Sequence, residues 1–348
     1  MNRRKLWVTN LILCFVLLIS IVIAASIGSA SLSMLDSFRI ILSRIPVLEH
    51  LVNIEGIKSN YESIIWNIRI PRILLSGLSG ASLALVGACF QGLFRNPLAD
   101  PQIIGVSSGA ALGATIAVLS GVSVSFVGLG TIGIFAFIGA VLTVMIVYSL
   151  SCNGNRAPVV YIILTGTAIS SMLSAIISLL MSIRREQLEK IYMWTLGSFS
   201  SATMDKVIYL FLFLILCGVI ILFFTKDLDL ISTGEETAQS LGVDTARVKK
   251  VLIIVASVLV AACVSVSGTI GFVGLIIPHA VRIICGPKHA RLMPLAAFSG
   301  ATFLIWCDTI ARTIRDPGEL PVGVVTALCG GPYFIFLLVR AKKKGGVI

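Results

Sequence analysis

The sequence predicts an all-α membrane protein that crosses the bilayer about ten times. Hydrophobic residues make up 57% of the 348 residues and charged residues only 12%, whereas a soluble domain carries about 25% charged residues. Ten apolar runs approach the roughly 17–25 residues that a helix needs to cross about 30 Å of hydrocarbon. Glycine, alanine and serine recur at close spacing in these runs, which favours closely packed helices. We therefore expect a single transmembrane domain over residues 1–348.

The predicted spans follow one another along the whole chain. The first could instead belong to a signal peptide, because a basic start precedes it and small residues lie near Ala30. The run from Leu11 to Ile27 is long for that role, so a retained span is favoured. The third and eighth spans are short and rich in glycine. The ten lie at residues 8–28, 69–93, 102–120, 124–149, 158–182, 206–225, 250–267, 268–285, 292–311 and 321–340.

Basic residues at the two ends of the chain predict its orientation. An even number of spans places both termini on one side, and lysine and arginine accumulate on the cytoplasmic side of membrane proteins. We therefore expect a multi-pass protein of the cell (inner or plasma) membrane with both termini in the cytoplasm. The basic residues concerned are Arg3, Arg4 and Lys5 at the start, and Arg340, Lys342, Lys343 and Lys344 at the end.

The segment 226–250, between the sixth and seventh spans, must lie in water. Nine of its residues are charged, and each would cost about 2.5–3.5 kcal/mol at the centre of a span. Its middle reads as a helix. Thr233 and Glu236 have the spacing of a capping box, with Glu235 and Glu236 near the positive end of the helix dipole. Gly242 offers a break.

This segment is predicted to be a small amphipathic platform. Three of its residues are expected to share one face: Ala238, Leu241 and Val248. Such a face needs a surface to lie against, either lipid headgroups or a soluble partner.

Two segments on the opposite side are too polar or too short to span. Residues 30–68 form an outer loop with a short apolar patch at residues 38–42, which predicts an interfacial helix. Residues 184–205 combine a charged run with Trp194 to Phe199, which predicts a short surface helix or a re-entrant turn.

Ionisable residues stand at the outer ends of two spans. Arg69 and Arg72 flank Pro71, and Asp308 and Arg312 are four residues apart, so that the last two could pair on one helix face. The two arginines of the second span could extend to the headgroups. Alternatively they form a cationic rim that binds an acidic partner or an anionic solute.

Glycines and prolines interrupt several spans. Close helix packing explains most of the glycines, and the remainder could mark unwound backbone along a pathway through the membrane. The residues concerned are Gly105, Gly109 and Gly113 in one span, and Gly268, Gly271 and Gly274 followed by Pro278 in another.

Catalytic signatures are absent from the sequence. It contains no phosphate-binding G-x-x-x-x-G-K-[ST] motif, no H-E-x-x-H and no G-x-S-x-G. The eight cysteines are scattered and predict packing residues. His279 and His289 are interpreted as helix-terminal or packing residues, so no metal site is expected. The net charge of +11 comes without a basic patch interleaved with aromatics, which argues against nucleic-acid binding.

Seven motifs together resemble one family, the permease subunits of ABC importers for ferric siderophores, haem and cobalamin. From about residue 60 they occur in the order and spacing of that family. They are R-I-P-R at 69–72, G-A-C-F-Q-G-L-F-R-N-P-L-A-D-P at 87–101, G-V-S-S-G-A at 105–110, W-T-L-G-S-F at 194–199, G-E-E-T-A-Q-S-L-G-V at 234–243, G-T-I-G-F-V-G-L-I-I-P-H at 268–279 and G-E-L-P-V-G-V-V-T-A-L-C-G-G-P-Y-F at 318–334.

The resemblance implies a type II ABC importer architecture. Two copies of the chain enclose the translocation path, two cytoplasmic ATPase subunits bind ATP and Mg, and an extracytoplasmic substrate-binding protein delivers the cargo. ATPase coupling would fall to Thr233, Gly234, Glu235, Glu236, Ala238, Leu241 and Gly242. Docking of the binding protein would fall to Arg69, Arg72 and Arg312. The path and its helix breaks would involve Gly105, Gly109, Gly268, Gly271, Gly274 and Pro278.

The resulting hypothesis is a non-enzymatic transport subunit for an iron chelate that works by alternating access. A ferric siderophore is the favoured cargo, with haem and cobalamin as alternatives. The competing hypothesis is a secondary transporter driven by an ion gradient. Such a transporter needs a buried acid or cation site at the bilayer midplane, and the middles of the predicted spans contain no aspartate or glutamate.

Overall fold

The computed structural model describes residues 3–28, 33–44, 57, 59–126, 128–152, 158–315 and 318–343. In chain order, the α-helices in these ranges are α1 (Arg3–Ser26), α2 (Met34–Ser43), α3 (Ser59–Ile64), α4 (Ile70–Leu93), α5 (Val106–Ser120), α6 (Thr131–Ser151), α7 (Val159–Ile183), α8 (Leu188–Thr195), α9 (Met204–Phe223), α10 (Thr225–Thr233), α11 (Glu235–Ser240), α12 (Thr245–Ser267), α13 (Val273–Cys285), α14 (His289–Thr313) and α15 (Val322–Lys343).

Short irregular elements connect some of these helices. A π-helical turn leads from α3 into α4, and two 3₁₀ turns precede α5 and α8. Strands β1 and β2 form an antiparallel hairpin in which Ser125 is opposite Gly130. The bounds are Ile65–Arg69 for the π-helix, Pro101–Ile104 and Arg185–Gln187 for the 3₁₀ turns, and Ser125–Phe126 and Leu129–Gly130 for the strands.

Ten helices correspond to the ten predicted spans. Among the described residues, seven are long and apolar enough to cross a membrane, and α5, α13 and α15 are shorter apolar helices. The predicted all-α polytopic fold is therefore confirmed. The fourth and eighth spans begin later than predicted, because residues 125–126 and 129–130 form the two strands and residues 268–272 are not helical.

Helix α4 lies at the centre of the bundle. Of its most apolar 18-residue window, 89% is buried, and it packs against α9, α12, α13 and α14. Its contact with α14 is close because a Cβ atom on Gly80 would overlap the carbonyl oxygen of Gly300, and the reverse also holds. Small residues thus bring two backbones together, as expected for membrane helices.

Helix α1 is part of the bundle. It packs along α14, and the indole nitrogen of Trp306 donates to the hydroxyl of Ser20 at 3.1 Å. Ala24 and Ala25 near its end are fully buried. These are the contacts expected of a retained first span.

The short helix predicted near residues 38–42 is present as α2 (Met34–Ser43), and its position at the membrane interface stays a prediction. Ser33 caps it by accepting from the amide of Asp36 at 3.0 Å. Ile40 is buried, and its carbonyl oxygen accepts from the indole nitrogen of Trp66 at 3.2 Å. Most of the remaining outer loop, residues 29–32, 45–56 and 58, lies outside the described part of the chain.

The two ends of the bundle carry different groups. We call the end where α4 begins and α14 finishes the arginine end, because Arg69, Arg72 and Arg312 lie there. We call the opposite end, where α10 and α11 form a two-helix connection between α9 and α12, the hairpin end. α4 and α14 run the whole distance between them.

Candidate functional site

Two glycines define helix α11 at the hairpin end. Gly234 separates it from α10 with φ 151°, and Gly242 follows it with φ 88°, both values that favour glycine. The amide of Gly242 donates to the carbonyl oxygen of Gln239 at 2.9 Å, and that of Val243 to Ala238 at 3.0 Å. This is a Schellman motif, and the predicted break at Gly242 is confirmed.

Thr233 does not cap α11, so the predicted capping box is wrong. Thr233 is the last residue of α10, and its hydroxyl donates to the carbonyl oxygen of Leu230 at 2.7 Å. The residue at the cap position is Gly234, because α10 continues up to it. Glu235 and Glu236 do lie in the first turn of α11 as predicted, where the helix dipole favours negative charge.

Glu235 joins α11 to the first turns of α12. Its carboxylate accepts from the ammonium of Lys249 at 2.5 Å and from the hydroxyl of Thr245 at 3.4 Å. The Lys249 side chain is only 9% exposed, whereas that of Glu235 is 45% exposed. Because a nearly buried ammonium needs a counter-ion, Glu235 positions α11 on α12.

The outward face of α11 is exposed. Ala238 and Val248 are buried as predicted, but Leu241 is 62% exposed. The prediction that Leu241 shares their face is therefore wrong, because the turn at Gly242 directs the end of the helix outward. Leu241 and the exposed carboxylate of Glu236 give this face both an apolar and an anionic group for a partner.

Asp229 of α10 is hydrogen-bonded to His289, the first residue of α14. The carboxylate of Asp229 accepts from the amide of His289 at 2.8 Å and lies 2.7 Å from its Nδ1. The imidazole is buried against Gly92 at the end of α4. Burial raises the pKa of the Asp229 carboxyl, but the hydrogen bonds from His289 outweigh burial and hold it below its ordinary value. The interpretation of His289 as a helix-terminal packing residue is confirmed.

The non-helical residues 268–272 connect α12 to α13 inside the bundle. Gly268 ends α12 with φ 70°, and a Cβ atom there would overlap the carbonyl oxygen of Trp194. The carbonyl oxygen of Ile270 accepts from the side-chain amide of Gln102 at 2.8 Å, and the hydroxyl of Thr269 donates to the carbonyl oxygen of Thr195. Backbone groups outside helices need hydrogen-bond partners within a membrane protein, and these contacts supply them. The helix break predicted from the glycines lies in this segment.

Phe272 is strained at the end of this segment. Its φ of 70° is unusual for a residue with a bulky side chain, and such a conformation costs about 1–3 kcal/mol. Its ring occupies the space that a Cβ atom on Gly330 of α15 would need. The conformation of Phe272 was not predicted, because a phenylalanine within an apolar run carries no local signal of strain.

The remaining glycines of the predicted path have different surroundings. Gly105 begins α5 at φ 83°, and Gly109 packs against Thr143 of α6. Gly274 packs against Pro101. A Cβ atom on Gly271 would have open space around it apart from the side-chain amide nitrogen of Gln102, 3.7 Å away. Pro278 is buried inside α13. Packing or a backbone break explains each position, and a role in translocation stays a prediction.

At the arginine end, Arg72 binds two carboxylates. It contacts Asp308 of α14 through Nε and Nη2 at 2.9 Å each, and both oxygens of Glu319 through Nη1 at 2.8 and 2.9 Å. The side chain of Asp308 is 2% exposed and that of Glu319 is 43% exposed. Asp308 thus forms its bonded pair with Arg72, and the predicted pairing with Arg312 is wrong because Arg312 turns towards α1.

Arg69 and Arg312 hold the end of α1. Arg69 Nη1 donates to the carbonyl oxygen of Ala25 at 2.6 Å, and Arg312 Nη2 donates to that of Ala24. Arg69 and Arg72 are buried, whereas Arg312 is half-buried. The arginines therefore do not extend to headgroups, and a partner could reach Arg69 and Arg72 only after other contacts are displaced.

A cavity of about 900 Å³ lies at the same end. Lys190 and Trp194 of α8 line one wall and Lys206 of α9 another, with Glu319 also among the lining residues. The ammonium of Lys206 donates to the carbonyl oxygen and hydroxyl of Ser201 at 2.7 and 2.9 Å. Six serines also line the cavity: Ser123, Ser198, Ser200, Ser201, Ser265 and Ser267.

Metal-ligand side chains do not form clusters in the ranges that the structure describes. No group of three or more histidine, cysteine, aspartate or glutamate side chains converges among the described residues. All eight cysteines lie in those ranges and are free, five of them buried.

The chain is similar to several import permeases of known name. The chain is 40% identical over 283 residues, or 81% of its length, to the cobalamin import permease BtuC of Halobacterium salinarum, covering 75% of that protein. It is 38% identical to the molybdate import permease MolB of Haemophilus influenzae, with 96% of both chains covered. It is 38% identical to the hemin permease HmuU of Yersinia pestis, with 80% of this chain and 84% of that one covered.

A solved structure and a family model agree with these relatives. The structure is described as an inward-facing conformation of a metal-chelate type ABC transporter; it is 34% identical, superposes with a TM-score of 0.82, and covers 97% of this chain and 100% of that one. The model of the FecCD transport family matches residues 16–340. The chain therefore belongs to the FecCD transport family and is a multi-pass membrane permease subunit of an ABC importer, a transport component whose ATPase is a separate subunit.

Proposed function

We propose that two copies of this chain form the membrane path of an ATP-driven importer for an iron chelate. A ferric siderophore is the favoured cargo, with haem and cobalamin as alternatives. The observation that carries the proposal is the arrangement of the two ends. At one end, α10 lies beside the exposed α11 and contacts α4 and α14, and these two helices extend to the arginine cluster at the other end.

The hairpin end is the proposed ATPase contact. Glu235 and Lys249 hold α11 in place, while Glu236 and Leu241 remain exposed for a partner. A force on α11 or α10 would act on α12 through Lys249 and on α14 through the contact of Asp229 with His289. ATP and Mg would be bound by the partner subunit, since this chain lacks a phosphate-binding motif.

The hairpin end is proposed to face the cytoplasm. Both termini are basic and the segment 226–250 contains four lysine and arginine residues, which fits the positive-inside rule because that rule counts lysine and arginine. The arginine end would then face an extracytoplasmic binding protein whose acidic residues meet Arg312 and, after displacement of their present contacts, Arg69 and Arg72.

A second copy of the chain is the proposed partner of α7. Only 22% of the most apolar window of this helix is buried, and large apolar side chains are exposed along it, including Tyr161, Met172 and Ile183. Lipid could cover such a face. A second copy is favoured by the family, in which the path lies between two permease subunits.

The cavity at the arginine end favours an anionic cargo. Lys190 and Lys206 supply positive charge, the serines supply hydroxyl donors, and Trp194 offers an apolar surface. A volume of about 900 Å³ falls within the roughly 300–1,000 Å³ of small-molecule sites. These groups suit an oxygen-rich anion with an apolar part, such as a ferric chelate with carboxylate or catecholate ligands.

Transport kinetics of cavity variants test this proposal. The permease would be reconstituted with its ATPase and binding protein and offered ferric citrate, a ferric catecholate, a neutral ferric hydroxamate, haem, cobalamin and molybdate. We expect an anionic ferric chelate to be the best substrate, and Lys190→Gln with Lys206→Gln to raise its KM several-fold. Arg39→Gln is the matched control, because Arg39 is exposed on α2 and does not line the cavity. Preference for a neutral cargo, or a KM unchanged by the lysine variants, contradicts the proposed cargo class.

A further inference from the structure

The two carboxylates on Arg72 differ in how firmly they are fixed. Asp308 is buried within α14 and contacts Nε and Nη2 of Arg72. Glu319 contacts only Nη1, is 43% exposed, and belongs to the connection between α14 and α15. Asp308 is therefore the permanent counter-ion of a buried guanidinium, and Glu319 is a second carboxylate at the solvent-facing side.

An exchange of Glu319 for another carboxylate would conserve the interactions of Arg72. Leaving a buried guanidinium short of a hydrogen-bond partner is unfavourable, but a foreign carboxylate that takes the same place restores both bonds and the same charge. The displaced Glu319 side chain is already half in water, so its hydration is readily completed. Geometry and charge therefore permit a replacement at Nη1 that they do not permit at the buried Asp308.

We propose that Glu319 occupies the position on Arg72 that an acidic side chain of the docking protein takes, so that the docking site is closed by the chain's own carboxylate. This inference rests on the proposed function, in which a substrate-binding protein docks at the arginine end. The partner it fits is a protein surface that presents an aspartate or glutamate beside Arg312. Arg312 is half-buried and joined to α1, so it stays at the rim and supplies attraction before the exchange.

The exchange would loosen the connection before α15, which is bonded to α4 through Glu319 and to α14 through Leu320. The amide of Leu320 donates to the carbonyl oxygen of Ala311 in α14 at 2.9 Å. The amides of Val322 and Gly323 at the start of α15 donate to Gly197 and Leu196, just after α8, at 3.1 and 3.2 Å. Displacement of Glu319 therefore frees the start of α15 from Arg72 of α4, and Glu319 and Leu320 also line the cavity proposed for the cargo.

Affinity for the binding protein tests the exchange. The probe is the purified soluble binding protein of the same transport system, and the permease is reconstituted as the full complex in nanodiscs. Glu319→Gln keeps the size of the side chain but removes the charged competitor. Because charge-assisted bidentate bonds are strong but Glu319 is partly exposed, we expect the Kd to fall by about tenfold.

Two control variants separate the possible results. Glu186→Gln removes an exposed carboxylate after α7 that has no bonded partner among the described residues, and it should leave the Kd unchanged. Arg312→Gln tests docking itself and should raise the Kd. If Arg312→Gln raises the Kd but Glu319→Gln leaves it unchanged or raises it, docking at this end stands and the exchange is wrong. If neither variant changes the Kd, the docking proposal fails and the exchange fails with it.

Amide hydrogen exchange gives a second readout that a purely structural role of Glu319 does not predict. Docking normally protects the covered surface. Here the amide of Leu320 should exchange faster in the complex than in the free permease, because its connection is released when Glu319 is displaced. Slower or unchanged exchange at Leu320 in the complex contradicts the proposal.

Discussion

Glu235→Gln tests whether the contact between α11 and α12 holds the proposed ATPase surface in place. The substitution leaves the Lys249 ammonium, 9% exposed, facing a neutral amide in place of a carboxylate at 2.5 Å. Removing one member of a fully buried pair costs about 3–5 kcal/mol, and an exposed pair contributes about 0.2–1 kcal/mol. Because Glu235 is 45% exposed, solvent screening reduces the effect, and we expect about 1–2 kcal/mol.

A loss of that size matters because α11 is short. It has six residues, and helices this short have little stability of their own in water. A loss of 1–2 kcal/mol raises the population with α11 detached by about 5–30-fold. The amides of Ala238, Gly242 and Val243 form hydrogen bonds within residues 234–243. They should exchange with solvent faster by a similar factor.

The assay combines hydrogen exchange with ATPase measurements on the reconstituted complex. Glu235→Gln should speed exchange in residues 234–243 and weaken stimulation of the ATPase by the loaded binding protein, while membrane insertion stays normal. Glu236→Gln is the matched control, because the neighbouring carboxylate is exposed; it should leave exchange unchanged and lower only the affinity for the ATPase. Unchanged exchange in Glu235→Gln would refute the positioning role.

Three further variants test contacts elsewhere in the bundle. Asp229→Asn should lower the Tm in detergent at both pH 7 and pH 5. The pKa of Asp229 is depressed, so its stabilising contact with His289 is complete above the ordinary carboxyl pKa of about 3.9 and is lost only as the pH falls below that value. An unaltered Tm at pH 7 would contradict this. Gly87→Ala should abolish folded protein in size-exclusion chromatography, because its Cβ atom would overlap a carbonyl oxygen of α13, whereas Gly331→Ala, with open space around it, should be tolerated. Gln102→Leu should lower stability by about 1–3 kcal/mol, because it leaves a carbonyl of residues 268–272 without its partner; wild-type thermal stability would show that another group satisfies it.

Span number and approximate position followed from hydropathy, because apolar length is a local property of the sequence. The breaks did not follow as directly. Gly268 and Gly271 indicated an interruption, but they could not define where α13 begins, since that depends on the contacts of Gln102 and Thr195 with the segment. The ring of Phe272 packs beside Gly330 of α15, a helix that is distant in the sequence, and a contact of this kind cannot be predicted from local sequence spacing.

The sequence predicted which residues belong to the site better than it predicted which of them are bonded to each other. Glu235 and Glu236 were placed together from the charge pattern, but only the fold separates a bonded carboxylate from an exposed one. Asp308 and Arg312 are neighbours on one helix face, and yet Asp308 pairs with Arg72, 236 positions away along the chain. Ion pairs between helices depend on side-chain direction in three dimensions, so helix periodicity alone favours the wrong partner.

ATP-dependent uptake is the measurement that tests whether this chain carries an iron chelate by alternating access powered by a separate ATPase. Proteoliposomes would hold the permease with its ATPase and binding protein and receive radiolabelled ferric siderophores, haem or cobalamin, with and without ATP and a protonophore. We expect ATP-dependent accumulation of a ferric chelate that the protonophore does not alter. Uptake that persists without the ATPase and collapses with the proton gradient would contradict it and identify a secondary transporter.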